Sequence, residues 1–525
     1  MKKPPESLLN FALALLSAVL LVLTFPNPAL HNSGLPWLAP LALTPLLIAL
    51  AREDRPLWRF LLGEFAGFVY WFCVCYWIQF VLEYHGGMGR WGGWGTSVLF
   101  SVLKGIHMAL FSLLAAVLIK TRYAIPAIAA LWTGIERTHA TFGFAWLDLG
   151  NAAIDMALPL RIAPYLGVYG ISFLFAWMGT TVAVLILNRN RRDLYWLAVT
   201  PALLLLPNLP APVIGTETAV AIQPNMSEDE QWTQASAARE RDHLIAISRE
   251  AALRNGARLI LWPEVPGPLY YYQDSTFREE AARLARDTHA PFLFGTVGET
   301  PQGAPLNSAV LLRPDGDLED RYDKINLVPF GEYVPRVFNF VNRITKEAGD
   351  FAPGTRTVVF AMNGRKMGVF ICYESAFPAD VRQFAKHGAN LLVNISNDGY
   401  FGKSAAREQH LSIVRMRAVE NRRWLLRATN DGITAAIDPA GRIVERWPMY
   451  QEAVGQMKFA YMDSTTFYTE YGDWFAWGCL VAAAAGLFYS QRPHYTPRRP
   501  HERETRNQTP ETGFTRAGSP TRRRP

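Results

Sequence analysis

Charge is scarce in this chain. Only 18% of its 525 residues are charged and half are hydrophobic, where soluble domains carry about a quarter charged residues. The long uncharged stretches cluster before residue 210, which excludes a wholly soluble protein. Cysteine is sparse too. Four residues cannot build a disulfide scaffold. Glycine has no three-residue period, so collagen is excluded, and the bulk is too apolar for disorder. No Walker A loop is present, and no Gly-x-Gly-x-x-Gly follows a strand, so nucleotide chemistry has no motif to rest on. The net charge of +7 is not a nucleic-acid footprint, because residues 491–525 hold nine Arg against three Glu. The excess sits in one Pro/Arg-rich tail, which reads as a disordered cytoplasmic segment able to touch anionic lipid, with no nucleic-acid partner expected.

What is abundant is membrane-length apolar sequence. A spanning helix needs about 20 such residues. Candidates are 8–25, 35–51, 60–82, 94–119, 123–139, 163–187, the short 194–206 and, far downstream, 474–489. The first follows Met1-Lys2-Lys3 but has no small-residue cleavage site after it, so it reads as an uncleaved helix. Lys2 and Lys3, Arg52 to Arg59, Lys120 and Arg122, Arg189 to Arg192 and the tail fall on one side, while the alternate loops hold few basic residues. That alternation predicts eight spans with both termini cytoplasmic and residues 208–473 on the outer face. The expected organisation is seven helices over 1–207, an extramembrane domain over 208–473, an eighth helix over 474–490 and the tail over 491–525. Glu64, Lys104, His107, Glu136 and Arg137 lie at or near membrane depth, where a charge must be paired, wet or in contact with lipid headgroups. Cys73 and Cys75, two residues apart on a helix, point to nearly opposite sides and read as packing.

From residue 219 the texture changes to short β-rich runs alternating with amphipathic helices. Strands are expected at 219–223, 258–262, 292–297, 308–312, 366–372, 390–396 and 433–437, and helices at 236–255, 276–287, 378–387 and 405–423. Three passages concentrate chemistry. An apolar run ends at Leu259-Ile-Leu-Trp-Pro-Glu264. Next comes Tyr322-Asp-Lys324-Ile-Asn-Leu-Val-Pro-Phe-Gly-Glu332-Tyr-Val-Pro335. The third, Gly368-Val-Phe-Ile-Cys372-Tyr-Glu374, delivers one Cys to a strand's carboxyl end, where α/β folds bind ligands. Cys372 is the only Cys of residues 208–473, so it has no disulfide partner there. It is either an inert core residue or a nucleophile. No His lies in these motifs. Glu264 could take the thiol proton, and Lys324 could steady first the thiolate and then an oxyanion.

Glu264, Lys324 and Cys372, in that order and in those motifs, resemble the Glu-Lys-Cys triad of the nitrilase, or carbon–nitrogen hydrolase, superfamily. Asn394-Ile-Ser-Asn-Asp398-Gly-Tyr-Phe-Gly402 resembles that superfamily's segment after the Cys strand. Three further features are similar to the apolipoprotein N-acyltransferases, its membrane branch. These are Val-Pro-Phe-Gly-Glu-Tyr-Val-Pro after Lys324, Glu136-Arg137 followed by Gly143-Phe-Ala-Trp146, and the flanking apolar helices. Ala145 stands where that family usually has Pro. The resemblance covers about residues 8–490.

It implies a polytopic helical membrane region joined to a nitrilase-like α-β-β-α sandwich. It also implies a bacterial inner-membrane enzyme with its catalytic domain in the periplasm. The reaction implied is ping-pong acyl transfer from a membrane phospholipid through a Cys372 thioester to the α-amine of a diacylated apolipoprotein, with no metal or cofactor. As supporting residues it suggests Glu332, an acidic family position, to orient Lys324 or shuttle protons. Glu374 and Tyr373 flank the nucleophile, Asn307 opens a strand near the site, and Trp232 matches an aromatic position near substrate. Pro268-Leu-Tyr-Tyr-Tyr272 and Val337-Phe-Asn-Phe340-Val341 suit lids that insert at the interface, with Tyr271 and Phe338 as their tips. The rival expectation is a membrane-anchored carbon–nitrogen amidase using the same triad. A transporter with a dead outer module is disfavoured, because the spans lack paired Gly/Pro-broken helices.

Overall fold

The computed structural model describes residues 6–141, 144–188, 195–197, 202–227, 230–329, 331–333, 351–362 and 364–490. The Arg-rich tail, Phe338 and most of the expected span at 194–206 lie outside these residues.

The first half is helical: α1 (Glu6–Thr24), α2 (Thr44–Arg52), α3 (Pro56–Val74), α4 (Ile78–Tyr84), α5 (Gly89–Leu118), α6 (Ala124–Arg137) and α7 (Ala163–Asn188). Among the described residues four helices are long and apolar enough to cross a membrane, at Ser7–Thr24, Pro56–Val74, Gly89–Leu118 and Pro159–Asn188. The other expected spans are shorter among the described residues, with apolar helices at Pro36–Arg52 and Trp474–Ser490. Pro36, Pro40 and Pro45 cut the second candidate into a 3-10 segment, Pro36–Leu41, and the short α2, because proline cannot donate to a helix interior. The fifth candidate becomes α6, whose 14 residues reach only about 21 Å at 1.5 Å per residue. Of the seventh, the described part is a single 3-10 turn, Leu203–Leu205. Small residues set the packing of α3 on α5, where Gly63 meets Ser112 and Gly67 meets Gly105, as in membrane helix pairs. On the outside of α5, Leu99, Leu103, Ile106 and Leu110 follow the helical period and remain exposed, an apolar stripe suited to lipid.

The second half is a two-sheet sandwich. Its elements in chain order are β1 (Glu217–Gln223), α8 (Gln234–Asn255), β2 (Leu259–Leu261), α9 (Ser275–Thr288), β3 (Phe292–Glu299), β4 (Pro305–Leu312), β5 (Leu318–Asp323), β6 (Val359–Met362), β7 (Arg365–Ile371), α10 (Pro378–Lys386), β8 (Leu391–Ser396), α11 (Ala406–Asn421), β9 (Leu425–Thr429), β10 (Ala435–Ile437), β11 (Ile443–Arg446) and β12 (Ala453–Phe459), followed by α12 (Phe467–Tyr471) and α13 (Trp474–Ser490). One sheet runs β12-β1-β2-β3-β4-β5 and the other β11-β10-β9-β8-β7-β6. Period-two alternation sorts the faces. Val220, Ile222, Ile260, Trp262, Phe292 and Phe294 pack outward against α8 and α9. Ala219, Ala221, Leu259, Leu261 and Leu293 turn inward to the core shared with Val369 and Ile371 of the second sheet. Helix, sheet, sheet and helix therefore stack as expected. In each sheet the central strands are parallel, so the carboxyl ends of β2 and β7 can carry the first and third motifs to the site.

The two halves are stitched together by Gln409 of α11, fully buried. Its carbonyl oxygen accepts from the indole N–H groups of Trp77 (3.3 Å) and Trp146 (2.8 Å). Its amide donates to the carbonyls of Pro26 (2.8 Å) and Val74 (3.0 Å). One side chain thereby satisfies four buried groups of the helical half.

Candidate active site

Glu264 leaves β2 through Trp262-Pro263, Lys324 follows β5 directly, and Cys372 follows β7. All three line one cavity of about 180 Å³. Lys324 Nζ lies 3.2 Å from Glu264 Oε1 and 2.9 Å from Glu332 Oε1. Asn307, on β4, donates its amide to the same two oxygens, at 2.7 Å each. The second oxygen of each carboxylate accepts a backbone N–H: Asn397 gives to Glu264 and Val328 to Glu332, both at 2.8 Å. Burial opposes the charge on Lys324, but the facing carboxylates of Glu264 and Glu332 outweigh it and hold the ammonium well above the ordinary lysine range. For the Cys372 thiol, burial pushes the pKa up, the charge of Glu264 adds to this, and Lys324 only partly counters it. The thiol is thus protonated at neutral pH, and its proton must leave as a bond forms.

Cys372 sits in the left-handed region, φ +49°, which costs a non-glycine residue roughly 1–2 kcal/mol. A buried network beneath it holds this turn. His410 Nε2 lies 3.1 Å from the Cys372 carbonyl oxygen. Its other ring nitrogen, Nδ1, lies 3.1 Å from Asp398 Oδ1 and 3.1 Å from Arg427. Burial and Arg427 keep His410 below its ordinary pKa, and Asp398 partly counters them. Arg427 in turn binds both oxygens of Asp398 at 2.8 Å. Burial raises Asp398, but Arg427 and His410 hold it well below the usual carboxylate range.

Glu374 does not line the cavity. It braces the site from behind. Oε1 accepts from Tyr322 Oη (2.7 Å) and from the N–H groups of Ile325 (2.7 Å) and Asn326 (3.2 Å), and Oε2 accepts from Ile371 N–H (2.7 Å). The Lys324 loop is thereby tied to the Cys372 strand. Burial lifts this carboxyl to about 7 despite its donors. Tyr373 does line the cavity, stacked on Phe144 with ring centres 5.1 Å apart. Trp232 stands off the cavity, beside Gly267. Tyr271 corrects the expectation of an exposed lid: it is buried on the outer face of the first sheet, against Phe294. Its ring belongs to the core under α9, while the neighbouring Tyr270 is exposed.

The rest of the wall comes from the helical half. Trp77, Val81, Phe144 and Trp146 complete the cavity with Tyr400 and Phe401. Trp77 packs on Phe401 (4.9 Å) and on Trp146 (5.1 Å). Beyond Trp77, Val81, Phe144 and Val328 lies an apolar chamber of about 960 Å³, whose far wall includes Leu99, Leu103, Ile106 and Leu110, the exposed stripe of α5. Sequence reasoning missed Trp77, Asn397 and Gln409. Their only signal was position, in or beside segments read as a span, a loop and a helix. A protonated thiol beside a carboxylate and a locked ammonium, walled by aromatics and open to an apolar chamber, can attack an acyl group and store it as a thioester.

The chain matches two family models. Carbon-nitrogen hydrolase covers residues 218–465, and the apolipoprotein N-acyltransferase N-terminal domain covers 17–181. It is 34% identical to the apolipoprotein N-acyltransferase of Geobacter metallireducens, over 90% of this chain and 94% of that protein. The Pseudomonas putida protein of the same name is 32% identical over 83% and 89%. Among solved structures, an amidase of the nitrilase superfamily from Nesterenkonia aligns with 49% of this chain and 95% of its own, at 21% identity and a TM-score of 0.36.

Proposed function

Because the chain belongs to the apolipoprotein N-acyltransferase family and is a bacterial membrane acyltransferase, we propose that Cys372 carries the acyl group between a membrane phospholipid and the α-amine of a diacylated lipoprotein. In the first half-reaction Cys372 Sγ attacks the ester carbonyl carbon while Glu264 takes the thiol proton. The oxyanion forms beside Lys324, whose ammonium stabilises it. The glyceryl C–O bond breaks, Glu264 returns the proton to that oxygen, and lysophospholipid leaves a thioester behind. In the second, the neutral amine attacks the thioester carbonyl and Glu264 accepts an N–H proton. The C–S bond breaks, the sulfur recovers the proton, and the amide is released.

Glu332 pairs with Lys324 and leaves Glu264 free to act as base. Asn307 holds the two carboxylates apart from each other's charge by donating to both. The observation that carries the reading is the junction of the two cavities. The nucleophile sits at the end of an apolar chamber that the membrane-length helix α5 walls on its exposed side. A small-amide hydrolase has no use for such a chamber. The proposed topology is that of an inner-membrane protein with cytoplasmic termini and a periplasmic catalytic domain, supported by the alternation of basic loops.

The test is an intact mass of the detergent-solubilised protein after incubation with one defined phospholipid, beside Cys372→Ala. A gain of one acyl chain, removed by hydroxylamine, absent in the variant and discharged by a diacylated lipopeptide, is the expected result. Turnover of small amides with no lipid adduct would instead establish the amidase.

A further inference from the structure

The chamber beside the catalytic cavity holds a buried lysine that makes no ion pair with any described acid. Lys104, on α5, lines it. Its buried ammonium donates to the Phe144 carbonyl at 3.0 Å and lies 4.3 Å from the centre of the Trp71 ring. Among the described residues no carboxylate comes within ion-pair distance. Glu136 accepts from the Leu149 N–H, and Asp148 caps the 3-10 turn that begins at Leu149. An ammonium has three donors. The Phe144 carbonyl is the one acceptor it meets among the described residues, and Lys104 lines the chamber. A buried cation with no carboxylate in contact is expensive at membrane depth, and an apolar wall offsets none of that cost.

We propose that Lys104 binds the phosphate of the acyl donor, the anionic group common to glycerophospholipids, and thereby turns the lipid's ester toward Cys372. Two relationships fix that orientation. The chamber and the catalytic cavity share Trp77, Val81, Phe144 and Val328, and an ester lies only a few bonds from its phosphate. Phe144, whose carbonyl Lys104 holds, stacks on Tyr373, the residue after the nucleophile. The proposal rests on the acyl-transfer reading above and adds which group of the donor is recognised. The acceptor amine carries no phosphate there, so Lys104 serves the first half-reaction alone.

The experiment measures the two half-reactions separately in full-length protein, for wild type, Lys104→Met and Lys104→Gln. The Gln variant keeps a donor for the Phe144 carbonyl and loses only the charge. Thioester formation is followed by intact mass with a phospholipid and with a p-nitrophenyl ester of the same fatty acid. Discharge of the preformed thioester is followed with a diacylated lipopeptide. The expected result for both variants is at least a tenfold rise in the phospholipid concentration giving half-maximal acylation, with the phosphate-free donor and the discharge step unchanged. Equal loss with both donors, or slowed discharge, would mean that Lys104 only positions Phe144, and would overturn the proposal. So would unchanged phospholipid acylation. Inhibition of wild type but not the variants by inorganic phosphate, with the same phospholipid dependence in all three proteins, would make the occupant the free ion rather than the lipid, and would overturn it as well. Wild type that forms no thioester with either donor would instead defeat the acyl-transfer reading beneath it.

Discussion

Glu264 and Glu332 share the same two donors. Lys324 Nζ and Asn307 Nδ2 each reach one oxygen of both carboxylates, and Lys324 stands closer to Glu332 (2.9 Å) than to Glu264 (3.2 Å). The two carboxylates therefore share one ammonium, with Glu332 at the shorter distance. Glu332→Gln throws the whole charge of Lys324 onto Glu264 and makes it a poorer base. Thioester formation should fall about a hundredfold, the range of a weakened general base, with lipid binding retained. A single-turnover time course by mass checks this, and an unchanged rate constant would mean that Glu332 is only an ion-pair partner.

The state of the nucleophile gives a pH prediction. Burial, reinforced by Glu264, keeps Cys372 protonated well past its ordinary range. Alkylation by iodoacetamide needs the thiolate, so its rate should climb steadily across roughly pH 6 to 9 without levelling. A plateau beginning near neutrality would show a preformed thiolate.

Gly295 tests how tightly the base is held. A Cβ there would stand 2.4 Å from Val265 N and 2.7 Å from Glu264 Cα, so the backbone carrying the base must move. Gly295→Ala should fold and yet acylate about a hundredfold more slowly, since a shift near 1 Å carries that penalty. Measured rates within twofold of wild type would mean that the loop absorbs the methyl group.

Glu374 accepts four hydrogen bonds and donates none. Glu374→Gln forces an NH₂ against one of those donors, the Ile371 N–H if the oxygen keeps its other three. The expected cost is about 1–3 kcal/mol, that of a buried unsatisfied group, read as a lower melting temperature. Stability equal to wild type would mean that the bracing is dispensable.

Gln409→Ala strands two indole N–H groups and two carbonyls at once. At about 1–3 kcal/mol for each buried unsatisfied group, the variant should melt well below wild type, and the fluorescence of Trp77 and Trp146 should shift to the red as water enters. Coincident melting curves would show that water replaces the amide without loss.

Much of this architecture was legible in the sequence, and the reasons differ by element. Strands β1, β3, β7 and β8 announce themselves as apolar runs that end in polar residues. By contrast β5, Leu318-Glu-Asp-Arg-Tyr-Asp323, is an edge strand paired on one side only, and its charges read as a loop. β9 follows α11 after only Arg422, Arg423 and Trp424, too short a gap to signal a change of period. Helix lengths were less legible than span positions, because hydropathy measures composition and is blind to the prolines that shorten α2. The same blindness hid the burial of Tyr271, whose aromatic cluster suits a core as well as an interface. The triad's motifs were readable one by one. The relation of Asn307 to two carboxylates, and of Gln409 to four backbone and indole groups, was not, because each depends on residues 25 to 383 positions away.

The shared wall of the catalytic cavity has a consequence for how the enzyme comes into being. Trp77, Val81, Phe144 and Trp146 are synthesised before Glu264, Lys324 and Cys372, and chains emerge from the ribosome amino end first. The lining that keeps water from a stored thioester thus enters the bilayer ahead of the residues that make one. A newly made chain that fails to insert lacks that lining and keeps only an unassembled thiol. Chain order thus places the residues that wall the cavity ahead of those that react in it.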